Sequence, residues 1–597
     1  MNLKFIKTIV ISLICLLNSC TLVKAENQWT PQMEKEFQLR SKQVLTKLSG
    51  SNYGTTSFES EKKSYPKAMI DFLAGNREKA ISFLQSEDAD TKSHAHTLGI
   101  DFYSGFTLKG QLRKYFYFGK YLEPSYRHRM KQAMQVWTEV DPLTRRFPNR
   151  QQFWAKDNCD TWVDCRNTDN LKAMREISAY LFAEETGNEA TRKIYKERIR
   201  RNVRTLYQIG QGEWDSENYL GHAITTYVNL YDFAKDPEMK SLAKSALDWY
   251  ITSGALKYWR GGFGGPSKRD YSQGNCVWCS LATHELGLYF GDSPLADPNP
   301  SPDLVHLITS SYRPPSAVVA LARKQFQKPL ELLNSKPTYE NWKPGGDVAP
   351  EFHETLYFGN TFQIGTLAQG SGGDWNGFKM MAFNSKRGVD YFIAATGTDP
   401  TQISSSSIGS NTIAQYRNLI IWLNDKPKAP FQFFLPKSAK VESKGGVTFI
   451  RYEKTWLALT PIHLNLEGIN SSATEKIREK YPEEQILTAV GSDTIISGFA
   501  LEIGEKETHG DWHQFQQSVL KKTRLNLSQI SDKTIEYQGV LGKVKLQHQG
   551  QGLPKVWRNG IFHDWRNHYA VYQNAQGSKT PIYQGWKQGK LEVRIKD

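Results

Sequence analysis

The sequence predicts a multidomain protein in which a helical domain precedes a β-sandwich domain. From about residue 30 to 335 the apolar residues recur with a helical period. Near Lys336 to Pro350 the composition changes to Pro, Gly and Trp, and the apolar period then shortens towards two. With roughly 100 to 200 residues per domain, 597 residues suffice for two or more domains with ample cores.

The first 25 residues have the features of a signal peptide. Lys4 and Lys7 precede an apolar run from Thr8 to Leu17, and Val23-Lys24-Ala25 supplies a small-residue cleavage site. A competing site at Leu17-Asn18-Ser19-Cys20 resembles a lipoprotein box, which would place a lipid anchor on Cys20. No later stretch approaches the roughly 20 apolar residues of a membrane span. We therefore expect a secreted or periplasmic protein, with an outer-membrane lipoprotein as the alternative.

The helical domain is expected over residues 26–340. One apolar stripe is formed by Ile199, Val203 and Leu206, and turn signals such as Lys235-Asp236-Pro237 separate the stripes. Short loops between successive helices predict antiparallel neighbours. A bundle, a solenoid and a closed toroid would all show this pattern.

The β-rich domain is expected over residues 341–597. Its strand segments alternate or are rich in β-forming residues, and Gly-containing turns separate them: Val447–Tyr452, Trp456–Thr460, Thr494–Leu501, Thr534–Val540, Lys543–His548 and Leu591–Ile595. Antiparallel sheets of this kind bury their apolar faces in a sandwich.

Four cysteines lie outside the signal segment, and an even number suits two disulfides in an oxidising compartment. These candidates are Cys159, Cys165, Cys276 and Cys279. The C-x-x-C spacing of Cys276 and Cys279 also permits zinc, but export favours disulfides.

The chain is basic, with a formal net charge of +15 at pH 7. An exported protein without a nucleic-acid-binding motif is not expected to bind nucleic acid, whereas an acidic polysaccharide would be attracted. The chain has neither a phosphate loop nor a dinucleotide fingerprint, and we expect no cofactor and no metal.

The segment Gly212 to Tyr227 contains the most informative polar pattern. On a helix, Leu220, Ile224, Tyr227 and Tyr231 share one face, and Asn218, His222, Thr225 and Asn229 share the opposite one. A solvated face would usually carry Lys and Glu. The pattern therefore favours a polar cavity, and an ordinary surface helix or a buried, hydrogen-bonded histidine is the alternative.

A second segment, Lys257 to Tyr271, combines glycines with aromatic and cationic residues. Four glycines in Gly261-Gly262-Phe263-Gly264-Gly265 would let the backbone approach a ligand. The side chains that could contact an anionic sugar chain are Tyr258, Trp259, Arg260, Arg269 and Tyr271. A third polar run, Asp160 to Asn170, precedes a predicted helix, and its last residues could equally cap that helix.

These segments resemble polysaccharide lyases and lyase-like proteins of the heparinase II/III-like and alginate lyase-like groups. The resemblance rests on Ser-Glu-Asn-Tyr at 216–219, on Arg269-Asp270-Tyr271, and on Phe499 to Gly504 with Gly510-Asp511-Trp512. It implies an (α/α) toroid followed by an antiparallel β-sandwich. Such families place an Asn beside a His in the toroid groove, with a Tyr from a later loop. Here Tyr219 follows Asn218, and the nearest histidine is His222.

The resemblance implies β-elimination on a uronate-containing polysaccharide. Asn218 and Arg269 would hold the carboxylate, His222 would be the base, and Tyr271 would protonate the leaving oxygen or perform both proton transfers. Further candidates for substrate binding are Trp214, Glu217, Tyr219, Tyr258, Trp259, Arg260, Asn167 and Asn170.

Two other functions fit the same architecture. A glycoside hydrolase needs two carboxyl groups, and Asp164, Asp169, Asp215 and Glu217 are available. A non-catalytic glycan-binding or envelope-assembly protein would use tryptophans as sugar platforms, with Trp29, Trp375, Trp512 and Trp565 as candidates.

Overall fold

The computed structural model describes residues 29–53, 60–86, 96–102, 106–140, 169–269, 276–291, 299–337, 352–399, 410–493, 496–550, 552–565, 573–574, 582–587 and 590–595. The expected signal peptide and the Cys20 anchor site lie outside these residues. Within them, no helix is both long and apolar enough to cross a membrane.

The N-terminal half of the described chain is helical. Its α-helices are α1 (Pro31–Leu48), α2 (Ser60–Leu73), α3 (Arg77–Leu84), α4 (Thr107–Phe116), α5 (Pro124–Val140), α6 (Asp169–Thr186), α7 (Glu189–Ile209), α8 (Tyr219–Phe233), α9 (Pro237–Lys257), α10 (Leu281–Phe290), α11 (Val305–Ile308) and α12 (Ser316–Ala322). Short 3₁₀ turns cover Gly119–Tyr121 and Pro302–Leu304.

Helix α8 lies at the centre of this domain and is buried from Leu220 to Leu230. It packs against α4, α6, α9 and α10, while α6 also packs against α7. Side-chain caps start several of these helices: Asn188 accepts a hydrogen bond from the Thr191 amide, and Asp236 accepts one from the Glu238 amide. The predicted helical domain is confirmed.

Short strands occur within the helical half: β1 (His96–Thr97), β2 (Ile100–Asp101), β3 (Tyr258–Trp259), β4 (Gly262–Phe263) and β5 (Ser267–Lys268). The longer strands follow, with Leu330 as their first residue. They are β6 (Leu330–Lys336), β7 (Phe352–Phe358), β8 (Phe362–Leu367), β9 (Trp375–Asn376), β10 (Phe378–Asn384), β11 (Gly388–Ala395), β12 (Asn411–Tyr416), β13 (Leu419–Asn424), β14 (Pro430–Pro436), β15 (Lys440–Lys444), β16 (Val447–Arg451), β17 (Thr455–Ile462), β18 (Leu464–Ile469), β19 (Glu484–Gly491), β20 (Ser497–Glu505), β21 (Arg524–Asn526), β22 (Thr534–Gln538), β23 (Lys543–Gln547), β24 (Lys555–Arg558), β25 (Ile561–Phe562), β26 (Gln573–Asn574), β27 (Ile582–Lys587) and β28 (Lys590–Ile595).

Helices also interrupt the β-rich half: α13 (Ser471–Arg478), α14 (Lys506–His509) and α15 (Trp512–Lys522), with a 3₁₀ turn at Ile530–Asp532. Strands predicted from the alternating pattern are found where expected, among them β16, β17, β20, β22, β23 and β28.

Two antiparallel sheets form the sandwich. Among the described residues, the first has nine strands in the order β18-β19-β14-β11-β10-β8-β7-β6-β26, and the second has six in the order β12-β13-β20-β17-β16-β15. Apolar side chains from both sheets share one core, which includes Phe378, Trp422, Phe433 and Phe499. The predicted antiparallel β-sandwich is therefore confirmed. A further described sheet, β21-β22-β23-β24-β25, packs on the six-stranded sheet around Ile421.

The nine-stranded sheet also covers the helical domain. Leu332 on β6 and Leu356 on β7 belong to the same apolar core as Leu256 of α9 and Leu286 of α10. Tyr357, the next residue along β7, points into the sandwich core instead. One sheet thus packs against the helices with one face and against the second sheet with the other.

Candidate functional site

The turn before α8 is held by a buried group of charges at the junction of the two domains, which we call the junction cluster: Asp215, Lys257, Lys336 and Glu354. Asp215 has a left-handed backbone (φ 49°), pairs with Lys336, and lies 3.3 Å from Lys257 Nζ. Its other carboxylate oxygen accepts a 2.9 Å hydrogen bond from Ser253. Burial raises the pKa of Asp215, but Lys257 and Lys336 outweigh it and hold the pKa below its ordinary value. The turn that leads into α8 is therefore fixed.

His222 lies one turn into α8 and is 7% exposed. Its Nδ1 is 3.1 Å from Nζ of Lys109 on α4, and that ammonium group is 2.7 Å from a carboxylate oxygen of Asp303. The ring of Phe106 lies 4.5 Å from the His222 ring. The polar face predicted for α8 is thus buried against charged and aromatic neighbours, and His222 has the buried, hydrogen-bonded setting that the alternative interpretation expected.

Asn218 and Tyr219 are half-buried at the start of α8. Asn218 occupies the N-cap position, but its side chain makes no capping hydrogen bond. The Tyr219 ring is 6.2 Å from the His222 ring and stacks at 6.3 Å on Phe106. Asn218, Tyr219 and His222 therefore lie close together, as their spacing on one helix predicts.

Arg269 is brought to the same place from the end of β5. Its guanidinium group donates to the Tyr219 hydroxyl at 3.2 Å and to the buried carboxylate of Glu213 at 3.1 Å. The group also lies 4.9 Å from the centre of the Tyr219 ring. Tyr219 thus connects Arg269 to the His222 region.

The β-domain contributes to this site through β9. Strand β9 pairs with β5, with Lys268 opposite Trp375, and the Arg269 amide donates to the Asp374 carbonyl at 2.5 Å. Asp374 and Trp375 are half-buried. Trp375 is therefore the one of the four candidate platform tryptophans whose backbone pairs directly with the strand leading to Arg269.

The other predicted residues before α8 are buried in packing. Trp214 is 2% exposed and its ring lies 5.2 Å from Phe352, while Glu217 pairs with Lys379 of β10. Asn170 is buried at the start of α6, next to Leu171, which packs on Phe106 together with Met174. The structure therefore places Asn170 beside a residue that packs on Phe106, and it places Glu217 against the nine-stranded sheet.

The aromatic pair before the glycine-rich stretch is also buried, away from His222. Tyr258 and Trp259 are 1% and 4% exposed, and Trp259 packs with Met381 and Tyr391 of the nine-stranded sheet. Arg260 donates to the Gly388 carbonyl at 3.0 Å. In this structure these three residues join the domains, and they are not gathered with Asn218 and Arg269.

The glycines of this stretch allow close packing against the sheet. A Cβ atom on Gly264 would lie 2.8 Å from Cγ of Met381. A Cβ atom on Gly265, which has a φ of +79°, would lie 2.9 Å from Leu356. These glycines were expected to let the backbone approach a ligand. In the structure, side chains of the β-domain occupy that space instead.

Several predicted residues lie outside the described ones: Asn167, Tyr271, Cys159, Cys165 and Asp164. Cys276 and Cys279 form a disulfide just before α10. Within the described ranges, no group of three or more His, Cys, Asp or Glu side chains has a geometry that could hold a metal ion.

Four ionisable residues inside the helical domain join His222 in what we call the interior cluster: Lys109, Asp303, Glu285 and His306. Burial raises the pKa of Glu285 well above its usual range, although Lys109 partly opposes this. Burial lowers the pKa of His306 well below its usual range, and Arg113 and Lys109 lower it further. Among the described residues, neither the carboxylate of Glu285 nor the ring of His306 has a hydrogen-bond partner.

These four residues were not predicted from the sequence. Lys109 is 113 positions from His222, so spacing could not connect them. Asp303 follows Ser301-Pro302, a pattern typical of a helix start. Glu285 offered a usable signal, because it is the acidic residue in the otherwise largely apolar helix Leu281–Phe290.

A comparison with solved structures finds similarity to polysaccharide lyases at low sequence identity and low TM-score. A heparinase III described as the BT4657 gene product is 9% identical, with a TM-score of 0.38, over 89% of this chain and 91% of that one. A second heparinase III structure is 8% identical, with a TM-score of 0.38, over 88% and 90% of the two chains. The chondroitin lyase ODV-E66, a baculovirus envelope protein, is 11% identical, with a TM-score of 0.19, over 83% and 90%.

No protein-family model matches the sequence, and no curated protein sequence matches it significantly.

Proposed function

We propose that this protein is an extracytoplasmic polysaccharide lyase that cleaves a uronate-containing polysaccharide by β-elimination. The observation that carries the proposal is the meeting of Asn218, Tyr219, His222 and Arg269 where the helical domain joins β9. These side chains supply amide, phenol, imidazole and guanidinium groups within one region, and the contact between Arg269 and Tyr219 is 3.2 Å. Such donors suit a carboxylated sugar.

The reaction requires three things of these residues. The C5 proton of a uronate passes to a base, the C4–O bond breaks as a C4=C5 double bond forms, and the leaving oxygen takes up a proton. Removal of the C5 proton delocalises negative charge onto the carboxylate, so donors that neutralise this group lower the barrier. In the proposal, Asn218 and Arg269 hold the carboxylate, and Tyr271, two residues after Arg269, protonates the leaving oxygen.

The base is His222 or Tyr271. His222 is the nearest imidazole to Asn218 on α8, and Tyr271 would perform both transfers in a syn elimination. Tyr219 and Trp375 offer half-buried aromatic surfaces on which neighbouring sugar rings could stack.

Buried ion pairs favour a lyase over a glycoside hydrolase. Two of the four candidate carboxyl groups for a hydrolase are Asp215, which pairs with Lys336, and Glu217, which pairs with Lys379. A hydrolase needs one carboxyl group that is protonated and one that faces the substrate. Carboxylates held by buried lysines satisfy neither condition.

An oxidising location is supported by the Cys276–Cys279 disulfide, because such bonds persist mainly outside the cytoplasm. The proposal therefore retains the expected secreted or periplasmic location and a soluble anionic polysaccharide as substrate.

The test is ultraviolet absorbance of the purified protein mixed with alginate, hyaluronan, heparan sulfate or polygalacturonate. Elimination leaves an unsaturated uronate that absorbs in the near ultraviolet, whereas hydrolysis adds only reducing ends. We expect a rise on at least one substrate that is lost in Tyr271→Phe and His222→Ala and retained in His128→Ala, which alters an exposed histidine of α5. New reducing ends without absorbance would indicate a hydrolase, and retardation in an affinity gel without products would indicate a binding protein.

A further inference from the structure

The contact between His222 and Lys109 determines where the imidazole proton lies. Nδ1 of His222 is 3.1 Å from Lys109 Nζ. A lysine ammonium group has three donors and no acceptor, so a hydrogen bond between these atoms requires that Nδ1 accept it. A ring nitrogen that accepts a hydrogen bond carries no proton, and the proton of the neutral ring is then on Nε2.

The position of Lys109 beside His222 is well defined, because its ammonium group is also paired with a carboxylate. Its side chain is fully buried, and its ammonium group is 2.7 Å from Asp303, whose side chain is 11% exposed. Its backbone carbonyl accepts a 3.1 Å hydrogen bond from Asn229, which lies on the same helix as His222. These two contacts anchor Lys109 to Asp303 and to the helix that carries His222.

The imidazole itself is also restrained. Phe106 packs against its face at 4.5 Å, and α8 is buried on both sides of it. The ring therefore cannot turn to exchange its two nitrogens without breaking the Lys109 contact and displacing Phe106.

We propose that Lys109 and Asp303 are positioning residues that fix His222 in the Nε2–H tautomer, so that His222 donates a hydrogen bond during catalysis and does not act as the base. This inference rests on the proposed function. The elimination stays balanced, because the C5 proton goes to another group, His222 keeps its own proton, and the leaving oxygen takes its proton from an acid. Of the two candidate bases, Tyr271 is then the one that remains.

The tautomer is measured directly by nitrogen NMR on wild-type protein labelled with ¹⁵N-histidine, with His222→Gln used to assign the signal. We expect a protonated Nε2 and an unprotonated Nδ1 in the substrate-free protein at neutral pH. A protonated Nδ1, or a ring protonated on both nitrogens, would overturn the proposal. This readout needs no substrate, so a protein that shows this tautomer but has no lyase activity would refute the proposed function and leave the positioning role intact.

A matched pair of variants distinguishes the loss of the contact that positions His222 from the loss of any buried charge on the same helix. Lys109→Met removes the ammonium group beside His222. Lys114→Met removes another buried ammonium group from the same helix, one that donates to the Tyr126 hydroxyl at 2.9 Å. We expect Lys109→Met to give a mixture of His222 tautomers and to lower kcat by about 10- to 100-fold, the range found when a hydrogen-bond partner of a metal-bound histidine is removed.

Lys114→Met should leave the His222 signal unchanged. Lys109→Arg, which also has donors only, should restore the Nε2–H tautomer and part of kcat. An unchanged His222 signal in Lys109→Met, or an equal change in Lys114→Met, would contradict the positioning role.

Discussion

The junction cluster and the interior cluster contain similar residue types under similar burial, yet their charges are arranged differently. In the junction cluster, the carboxylates of Asp215 and Glu354 each contact both Lys257 and Lys336. In the interior cluster, only Lys109 and Asp303 form such a pair, while Glu285 and His306 lack a hydrogen-bond partner among the described residues.

This difference indicates that the junction cluster stabilises the fold and that the interior cluster belongs to a functional region. Balanced buried charges hold two domains and a strained turn in place. Buried ionisable groups with shifted pKa values and incomplete pairing are typical of functional regions. The interior cluster includes His222, and variants in each cluster can show whether that cluster has the role that its pairing indicates.

The largest effect on stability is expected at the junction cluster. Asp215→Asn keeps the size of the side chain and tolerates a left-handed backbone, but it leaves two buried lysines with one carboxylate. We expect the free energy of unfolding to fall by about 3–5 kcal/mol, as measured by urea denaturation. As a control, Glu197→Gln removes the exposed pair with Arg200 (3.2 Å) and should have no measurable effect. Equal stability of Asp215→Asn and wild type would contradict the structural role.

The next largest effect is expected on the catalytic rate, without a change in the stability of the fold. Asn218→Ala should reduce kcat by about 10²–10³-fold, the usual cost of removing one donor to a developing negative charge. Its stability should match wild type, because the Asn218 side chain makes no capping hydrogen bond. The measurement is the initial rate of absorbance increase beside a thermal unfolding curve. A loss of stability that parallels the loss of rate would assign Asn218 to the fold instead.

The third prediction concerns pH and the interior cluster. The pKa of His306 is lowered well below 6.5, so the folded state keeps the ring neutral while the unfolded state takes up a proton. Its contribution to stability is therefore present above pH 6.5 and is lost as the pH falls below it, by up to about 1.4 kcal/mol per pH unit. His306→Gln should flatten the acid side of the curve of unfolding free energy against pH.

A variant curve as steep as the wild-type curve would contradict this prediction. His548 and His563 also have lowered pKa values and contribute to the pH dependence of both proteins. The effect of His306 is therefore the difference between the wild-type curve and the His306→Gln curve.

The smallest effect is expected for Glu285, because Lys109 offsets part of the cost of its burial. Its pKa is raised above 4.5, so its contribution to stability is present below that pH and is lost as the pH rises towards the folded-state pKa. Glu285→Gln should therefore be more stable than wild type under alkaline conditions and should show less loss with rising pH. A destabilised Glu285→Gln protein would show that the charged form is needed for folding.

Much of the fold could be predicted from periodicity alone. The helical period corresponds to helices as far as Ala322, and the alternation around β16, β17, β20, β22 and β23 corresponds to strands. The segment Leu330–Lys336, which the helical period was expected to include, is strand β6 instead. Both patterns arise because each element buries one face, which is a local property of the chain. The sheet of β21 to β25 was not expected as a separate sheet, because short strands do not reveal their partners.

The site was only partly predictable. Asn218, Tyr219 and His222 share one stretch of helix, so their proximity follows from local geometry. The sequence could not show what Trp259 and Arg260 contact. Aromatic and cationic residues beside glycines give the same sequence pattern whether they face a ligand or a neighbouring sheet. Tertiary contacts bring Lys109, Asp303 and Asp374 to the site. The spacing of residues along the sequence does not predict such contacts.

The most direct test of the proposed lyase chemistry is the origin of the oxygen in the product. The protein is incubated with the uronate polysaccharides in water enriched in heavy oxygen, and the released oligosaccharides are weighed by mass spectrometry. The proposal predicts products with an unsaturated terminal uronate and no oxygen from the solvent, because elimination breaks the C4–O bond without adding water. Products that carry one solvent oxygen at each new reducing end would show hydrolysis and would contradict it.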